Sequence, residues 1–162
     1  FKQNMFYYKF NLSLPNLNWY GSKACQYKDL TSISELRNIK PKKYGWWRLD
    51  TILKKNKFIN INIIKNGGWH FTEIKTPKEI FIKHSNDEHH DEFDKTGIFE
   101  ENIKDMVKNR YIPYDHNIDQ KEWKKKWNKD NRIKLSIVKD SMLPKYLIDN
   151  NEKYSSWFDF KD

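Results

Sequence analysis

Ten Phe, nine Tyr and seven Trp side chains, 16% of a 162-residue chain, are the feature that most limits what this sequence can fold into. Charged residues make up 33% of the chain and its mean hydropathy is −1.01, values that on their own are typical of disorder. Disordered chains are poor in aromatic residues, however, and each ring that is buried removes about 150–250 Å² of surface from water. The sequence therefore predicts one folded, water-soluble domain over residues 1–162.

Charge and cysteine content exclude several classes of protein. The formal net charge is +9, but only four of the 31 basic residues are Arg, which is the side chain preferred for bidentate recognition of phosphate. We therefore interpret the charge as a solvated surface and expect no nucleic-acid partner. The one cysteine, Cys25, excludes an intrachain disulfide framework and suits a reducing compartment. No run of about 18 apolar residues is present, so no membrane-spanning helix is predicted.

Alternating apolar residues bounded by turn residues predict four strands, at residues 4–10, 19–27, 58–64 and 133–138. The third has the clearest pattern, because Ile59, Ile61 and Ile63 alternate with asparagines. The glycines of Asn66-Gly67-Gly68 then give a strong turn signal.

Start and stop signals predict the helices. Thr76-Pro77-Lys78-Glu79 combines a capping box with proline at the first helical position, and predicts a helix to about Ser85. Helical spacing of apolar residues predicts a second helix over 98–110. Shorter helices are expected after a serine cap at Ser32 or Ser34, ending before Pro41, and from Leu143-Pro144-Lys145-Tyr146-Leu147 onward.

Residues 111–132 are the least regular part of the sequence. Within them, the basic stretch 121–129 is predicted to be exposed. Asp115-His116 resembles a base with its orienting carboxylate, but neighbours in sequence usually point apart, so the pair receives little weight. Farther on, Tyr154, Trp157 and Phe158 predict an apolar patch that closes the core.

The first candidate site is the segment Asn66-Gly67-Gly68-Trp69-His70. Two glycines allow a tight turn or a close approach to a ligand. A histidine directly after such a turn can present a nitrogen to a metal, and the neighbouring tryptophan can stack on a sugar or a base. The alternative is a hairpin turn with a buried tryptophan and an ordinary surface histidine.

The second candidate site is the stretch 84–93, which holds three histidines and four carboxylates. Such a mixture could ligate a divalent cation or supply a general base to a hydroxyl group. No HExxH or zinc-finger spacing is present, and the alternative is a solvated polar loop. Arg48, among tryptophans, could clamp a phosphate or form a structural ion pair.

Four segments, taken in order, resemble the C-terminal half of glycosyltransferase family 17, the beta-1,4-mannosyl-glycoprotein 4-beta-N-acetylglucosaminyltransferase-like enzymes. The resemblance covers about Met5 to Phe158. Its motifs are Gly68-Trp69-His70-Phe71, Thr76-Pro77 with Glu79-Ile80, His90-Asp91-Glu92-Phe93, and Leu143-Pro144-Lys145-Tyr146-Leu147.

The resemblance implies an α/β fold, the C-terminal portion of a GT-A-like fold with a mixed sheet and flanking helices. It implies an inverting glycosyltransferase that moves a sugar of the N-acetylglucosamine type from a nucleotide-sugar donor, a UDP-sugar, to a glycan acceptor. A divalent cation, Mn²⁺ or Mg²⁺, is the implied cofactor.

The resemblance also implies roles for individual residues. Glu92, or less favourably Asp91, would be the catalytic base, and His90 would orient that carboxylate or the acceptor. His70 would be the metal ligand, and the substrate would be bound by Trp69, Gly68 and Arg48. The family's Asp-x-Asp-Glu segment lies upstream of this sequence. We therefore expect a fragment that lacks the nucleotide-binding half and is inactive alone.

Two alternatives from other classes stay open. One is a noncatalytic module that binds a glycan or single-stranded nucleic acid through its aromatic and basic residues. The other is a metal-dependent hydrolase that uses His84, His89 and His90. The expected location is the cytosol of a bacterium or of a virus-infected host. Peripheral association with a membrane is the alternative location.

Overall fold

The computed structural model describes residues 1–17, 19–42, 44–45, 47–49, 61–88, 90–118 and 122–160. These residues form a mixed α/β structure with a mixed sheet and flanking helices. The strands among the described residues are β1 (Asn4–Tyr7), β2 (Leu12–Ser13), β3 (Trp69–Thr72), β4 (Tyr111–Ile112), β5 (Ile133–Lys134) and β6 (Ser136–Ile137). The α-helices in the same ranges are α1 (Ile33–Asn38), α2 (Pro77–Ser85), α3 (His90–Asp94), α4 (Glu100–Lys108), α5 (Trp123–Lys126) and α6 (Lys145–Asp149).

The chain divides into two compact units. Unit 1 consists of Phe1–Gln3 and Asn18–Gly68, and unit 2 of Asn4–Leu17 and Trp69–Asp162. Over the described part of the chain, no helix has both the length and the apolar character to cross a bilayer.

The described residues of unit 1 contain little regular structure. Its helix α1 begins after Ser32, whose hydroxyl accepts a hydrogen bond from the Glu35 amide at 3.1 Å, as the cap signal predicts. The strand expected over 19–27 is wrong, because only Trp19 pairs, in an isolated bridge with Gln3. The segment that follows Trp19 is almost wholly exposed, Tyr27 to 92%, and therefore has no buried face to support a strand.

The second correction in unit 1 concerns the strand expected over 58–64. Residues 58–60 lie outside the described residues, and 61–64 are irregular. The turn that follows is confirmed, with Asn66 at φ +52° and Gly68 at φ +124°. Gly68 adopts a backbone conformation that L side chains rarely reach, which is why a glycine is needed there.

Unit 2 contains a four-stranded sheet in the order β3-β1-β2-β6. Strands β1 and β3 are parallel, with Phe6 opposite Phe71 and Tyr7 opposite Thr72, whereas the other two pairings are antiparallel. The strand predicted over 4–10 is confirmed but shorter. It ends at Tyr7 because Tyr8 has φ +64°. The segment predicted as one strand over 133–138 forms β5 and β6, which belong to different sheets.

One hydrophobic cluster of unit 2 forms around Phe6 of this sheet. Phe6 is fully buried and packs with Leu143, Leu147 and Phe158. Phe71 and Tyr154 pack against the same cluster. The closing patch predicted near the C-terminus is thus confirmed for Tyr154 and Phe158.

The helices α2 and α4 follow their sequence signals closely. In α2 the Thr76 hydroxyl accepts from the Glu79 amide, and the Glu79 carboxylate accepts from the Thr76 amide at 2.9 Å, which completes the capping box. In α4, Ile103 and Met106 are buried. The basic stretch 121–129 is exposed at Lys124 and Lys125, but Lys126 is buried, contrary to the expectation for the whole stretch.

We expect Thr76→Ala to lower the free energy of unfolding by about 1 kcal/mol, because the substitution leaves the Glu79 amide at the start of α2 without its side-chain acceptor. Urea denaturation followed by circular dichroism measures this loss. Thr76→Ser keeps the hydroxyl and is expected to unfold close to the native midpoint. Equal losses in the two variants would contradict a capping role for the hydroxyl.

Candidate functional site

The ends of the two parallel strands define the candidate site in unit 2. Strands β1 and β3 end side by side at Tyr7 and Thr72, and the residue after each has a left-handed backbone, Tyr8 at φ +64° and Glu73 at φ +55°. Such conformations cost non-glycine residues of order 1–3 kcal/mol and cluster at functional sites. In α/β sheets, ligands bind beyond the carboxyl ends of parallel strands.

A cavity of about 170 Å³ lies at these strand ends. Its buried wall is mostly apolar, and its partly exposed wall carries polar and aromatic side chains. An apolar cavity of about 150 Å³ is large enough for a benzene molecule, so this one has room for a single six-membered ring. The lining residues are Tyr7, Tyr8, Glu73, Ile80, His84, Phe93, Ile98, Ile103, Met106, Ile112, Pro113, Tyr114 and Trp127.

Glu73 is the charged group of this cavity wall. Its side chain is only 7% exposed. Its Oε1 atom lies 2.6 Å from the Lys83 ammonium and 3.4 Å from His84 Nε2, whereas Oε2 is buried without a hydrogen-bond partner among the described residues. Burial raises the pKa of this carboxyl, but the hydrogen bonds and charges of His84 and Lys83 outweigh burial and hold it below its ordinary value. The group is therefore a carboxylate at neutral pH, with one oxygen still able to accept a hydrogen bond.

Aromatic rings form the partly exposed wall. The Trp127 ring lies 4.7 Å from Tyr114 and 5.2 Å from His84 between ring centroids. His84 in turn stacks on Phe93 at 5.0 Å. These rings offer flat apolar faces next to the Glu73 carboxylate, a combination suited to a ligand that has both an apolar face and hydrogen-bond donors.

A tyrosine–histidine pair adjoins the cavity. The Tyr7 hydroxyl and His116 Nε2 are joined by a short hydrogen bond. Burial raises the pKa of Tyr7, so its hydroxyl keeps its proton at physiological pH. Burial, helped by the nearby charge of Lys126, lowers the pKa of His116 to about 4, so its ring is neutral at pH 7. The pair anchors the segment that carries Tyr114 to the end of β1.

Of the two residues predicted on β3, His70 lies near this pair, and neither His70 nor Trp69 lines the cavity. His70 is half-buried, and burial lowers the pKa of its imidazole. Its charge also lowers the pKa of His116, which makes the two rings electrostatic neighbours. Trp69 is 43% exposed and donates from Nε1 to the Met142 carbonyl at 2.6 Å. The part of this segment that lines the cavity is Glu73, three residues after His70.

The predicted catalytic residues share helix α3. His90 and Asp91 are exposed, with His90 Nε2 3.2 Å from Asp91 Oδ1, and Glu92 is half-buried. The next residue, Phe93, is the one from this helix that lines the cavity. The helix therefore contributes a wall to the cavity, while the roles of its acidic residues stay predictions. His89 lies outside the described residues.

The two remaining predicted residues belong to unit 1. Gly68 ends that unit in its left-handed conformation. Arg48 is exposed, with its guanidinium 5.4 Å from the centroid of the Tyr44 ring. Their roles in substrate binding stay predictions.

A metal site is not evident from the donor groups. Across the described ranges, no three His, Cys, Asp or Glu side chains are grouped so that they could hold a metal ion. Mn²⁺ and Mg²⁺ favour carboxylate oxygens, and a histidine alone makes a weak site for either ion. The residues that the structure describes do not by themselves fit the implied cofactor.

Several residues of the site have no signal in the sequence. Glu73 stands alone between the strand and the capping box, and neither its left-handed backbone nor its burial follows from its neighbours. Tyr7 and His116 are 109 residues apart. The one available hint was Asp115-His116, and the structure shows that this histidine is held by Tyr7.

Comparison with protein-family models, with curated proteins and with solved structures finds no match to this chain.

Proposed function

We propose that the chain is the sugar-handling part of a glycosyltransferase, which moves a sugar from a nucleotide-sugar donor to a glycan acceptor. The observation that carries the proposal is the cavity at the ends of β1 and β3, with its aromatic wall and the buried Glu73 carboxylate. A sugar ring has a C–H face that packs on aromatic rings and hydroxyl groups that a carboxylate accepts. The resemblance described above supplies the reaction class and names N-acetylglucosamine as the sugar.

In this proposal the acceptor hydroxyl oxygen attacks the anomeric carbon, and the bond from that carbon to the diphosphate oxygen breaks with inversion. Glu92 of α3, or Asp91, takes the proton of the acceptor hydroxyl, and His90 orients the carboxylate. The pairing of His90 with Asp91 at 3.2 Å and the place of Phe93 in the cavity wall support this helix as the source of the base.

The sugar ring is proposed to lie on Trp127, so we expect Trp127→Ala to weaken sugar binding about tenfold, or about 1.4 kcal/mol. Ligand-detected NMR titrations with N-acetylglucosamine and UDP-N-acetylglucosamine measure the affinity. Trp47→Ala is the matched control, since Trp47 is 69% exposed and lies in unit 1. Unchanged affinity in Trp127→Ala would place the sugar elsewhere and contradict the proposal.

Two further outcomes separate this function from the noncatalytic alternative. Release of UDP from UDP-N-acetylglucosamine in the presence of Mn²⁺ and a mannose-containing oligosaccharide would support transfer. Binding of a thymidine decanucleotide that weakens steeply with salt, without sugar binding, would instead identify a noncatalytic nucleic-acid module.

A further inference from the structure

The ionic environment of Glu73 limits the charge of any group that enters the cavity. The carboxylate is already matched on Oε1 by the Lys83 ammonium at 2.6 Å and by His84 at 3.4 Å. A second cation would lose several kcal/mol of hydration on entry and would find a carboxylate whose charge Lys83 largely offsets. An anion would meet the carboxylate itself. Cationic and anionic groups are therefore both disfavoured in the cavity.

The free oxygen of Glu73 adds a requirement for a donor. Oε2 is buried and without a partner in the part of the chain that the structure describes, and a buried acceptor left unsatisfied destabilises the protein. A ligand with an O–H or N–H group satisfies this atom. A ligand without such a group leaves this acceptor unsatisfied and therefore gains no affinity from it.

The rest of the wall sets the shape and polarity of that group. Seven lining side chains, namely Ile80, Phe93, Ile98, Ile103, Met106, Ile112 and Pro113, are buried and offer no side-chain hydrogen bond to a ligand. The volume of about 170 Å³ suits one ring of six atoms or a group of similar size. A group with several hydroxyls would leave most of them unpaired in this part of the cavity.

We infer that the cavity selects an uncharged, apolar group of about one ring in size that carries a single hydrogen-bond donor, which Glu73 Oε2 accepts while Lys83 excludes cations. This inference rests on the cavity used in the proposed function and names the chemistry of the part of the substrate that enters it. A sugar that lies on Trp127 would place an uncharged substituent there.

Four simple probes of similar size test the inference without a sugar. At pH 7 phenol is neutral with a donor, anisole is neutral without one, benzylamine is a cation and benzoate is an anion. We expect phenol to bind at least about tenfold tighter than each of the other three in NMR titrations. Anisole as tight as phenol, benzylamine tightest, or no probe bound at all would each overturn the inference.

Two variants test whether Glu73 and Lys83 cause the selectivity for phenol. Glu73→Leu removes the acceptor at similar size, so the preference for phenol over anisole should fall to about one while anisole still binds. Lys83→Met leaves the carboxylate without its ammonium partner, so benzylamine should bind at least about tenfold tighter than to the native chain. Lys83 has a 41% exposed side chain, which makes this variant the safer one to fold.

Failure of this inference can be distinguished from failure of the proposed function. Phenol selectivity without sugar binding would keep the cavity chemistry and reject the sugar, whereas sugar binding unaffected by both variants would reject the cavity chemistry. A native preference for phenol that persists in Glu73→Leu would overturn the assignment to Oε2.

Discussion

Replacing Phe6 by alanine is expected to lower the free energy of unfolding by about 3–5 kcal/mol, the usual cost of removing a buried phenylalanine ring from a core. Phe6 is fully buried, and its ring centroid lies 5.1 Å from that of Phe71 on the neighbouring parallel strand. It also packs with Leu143 and Phe158 near the C-terminus. Because a whole domain is stable by only about 5–15 kcal/mol, the variant should lose a large part of its stability.

Urea denaturation of the native chain and of the variant gives this difference. Phe99→Ala is the matched control, because Phe99 is 64% exposed and its removal leaves no cavity. The control is expected to stay within about 0.5 kcal/mol of the native chain, as most surface substitutions do. Similar losses in both variants would mean that the aromatic face of the sheet is not the core of unit 2.

Local signals in the sequence predicted the elements that depend on local chemistry. The capping box at Thr76 and Glu79 satisfies amides within one turn of itself, so its effect does not depend on the rest of the fold. The helix α4 follows from the spacing of Ile103 and Met106. The mixed α/β character with flanking helices is confirmed, while the structure does not bear on the finer assignment to a GT-A-like fold.

The sequence is a poorer guide to strands, because a strand depends on a neighbouring strand. The stretch 19–27 has residues that suit a half-buried surface, but a strand forms only where a neighbouring strand takes up its amides and carbonyls. Almost all of this stretch is exposed, and beyond the single bridge of Trp19 it has no ladder among the described residues. An alternating pattern of apolar and polar residues indicates which face of a strand would be buried. It does not indicate whether a neighbouring strand is there to pair with it.

In the candidate site, too, the sequence predicts the local elements but not the contacts between residues that are far apart in the chain. The sequence points to the segment around His70 and to the segment 90–93 of helix α3, and the cavity is lined by Glu73 just after the first and by Phe93 in the second. The residues that line it, Glu73 and Phe93, are not the ones chosen, because strand register and helix phase decide which side chain points inward. The hydrogen bond from Tyr7 to His116 joins residues 109 apart, and no local pattern could reveal it.

The buried His116 ring is expected to make the protein less stable between about pH 6.5 and pH 4. In the unfolded chain a histidine binds its proton near pH 6.5, whereas burial and Lys126 lower the pKa of folded His116 to about 4. The unfolded state therefore binds more protons across this interval, and stability falls as the pH is lowered. Folded His70, whose pKa is also lowered by burial, contributes in the same direction. Because His116 is half-buried and screened by solvent, we expect a loss of about 1–2 kcal/mol.

Urea denaturation at several pH values between 7 and 4 measures this dependence. His116→Gln cannot take up the proton, so its stability should change much less with pH over the interval, whatever its stability at pH 7. His90→Gln is the matched control, because His90 is exposed on α3, and it should keep the native slope. A native slope in His116→Gln as well would show that another group carries the acid sensitivity.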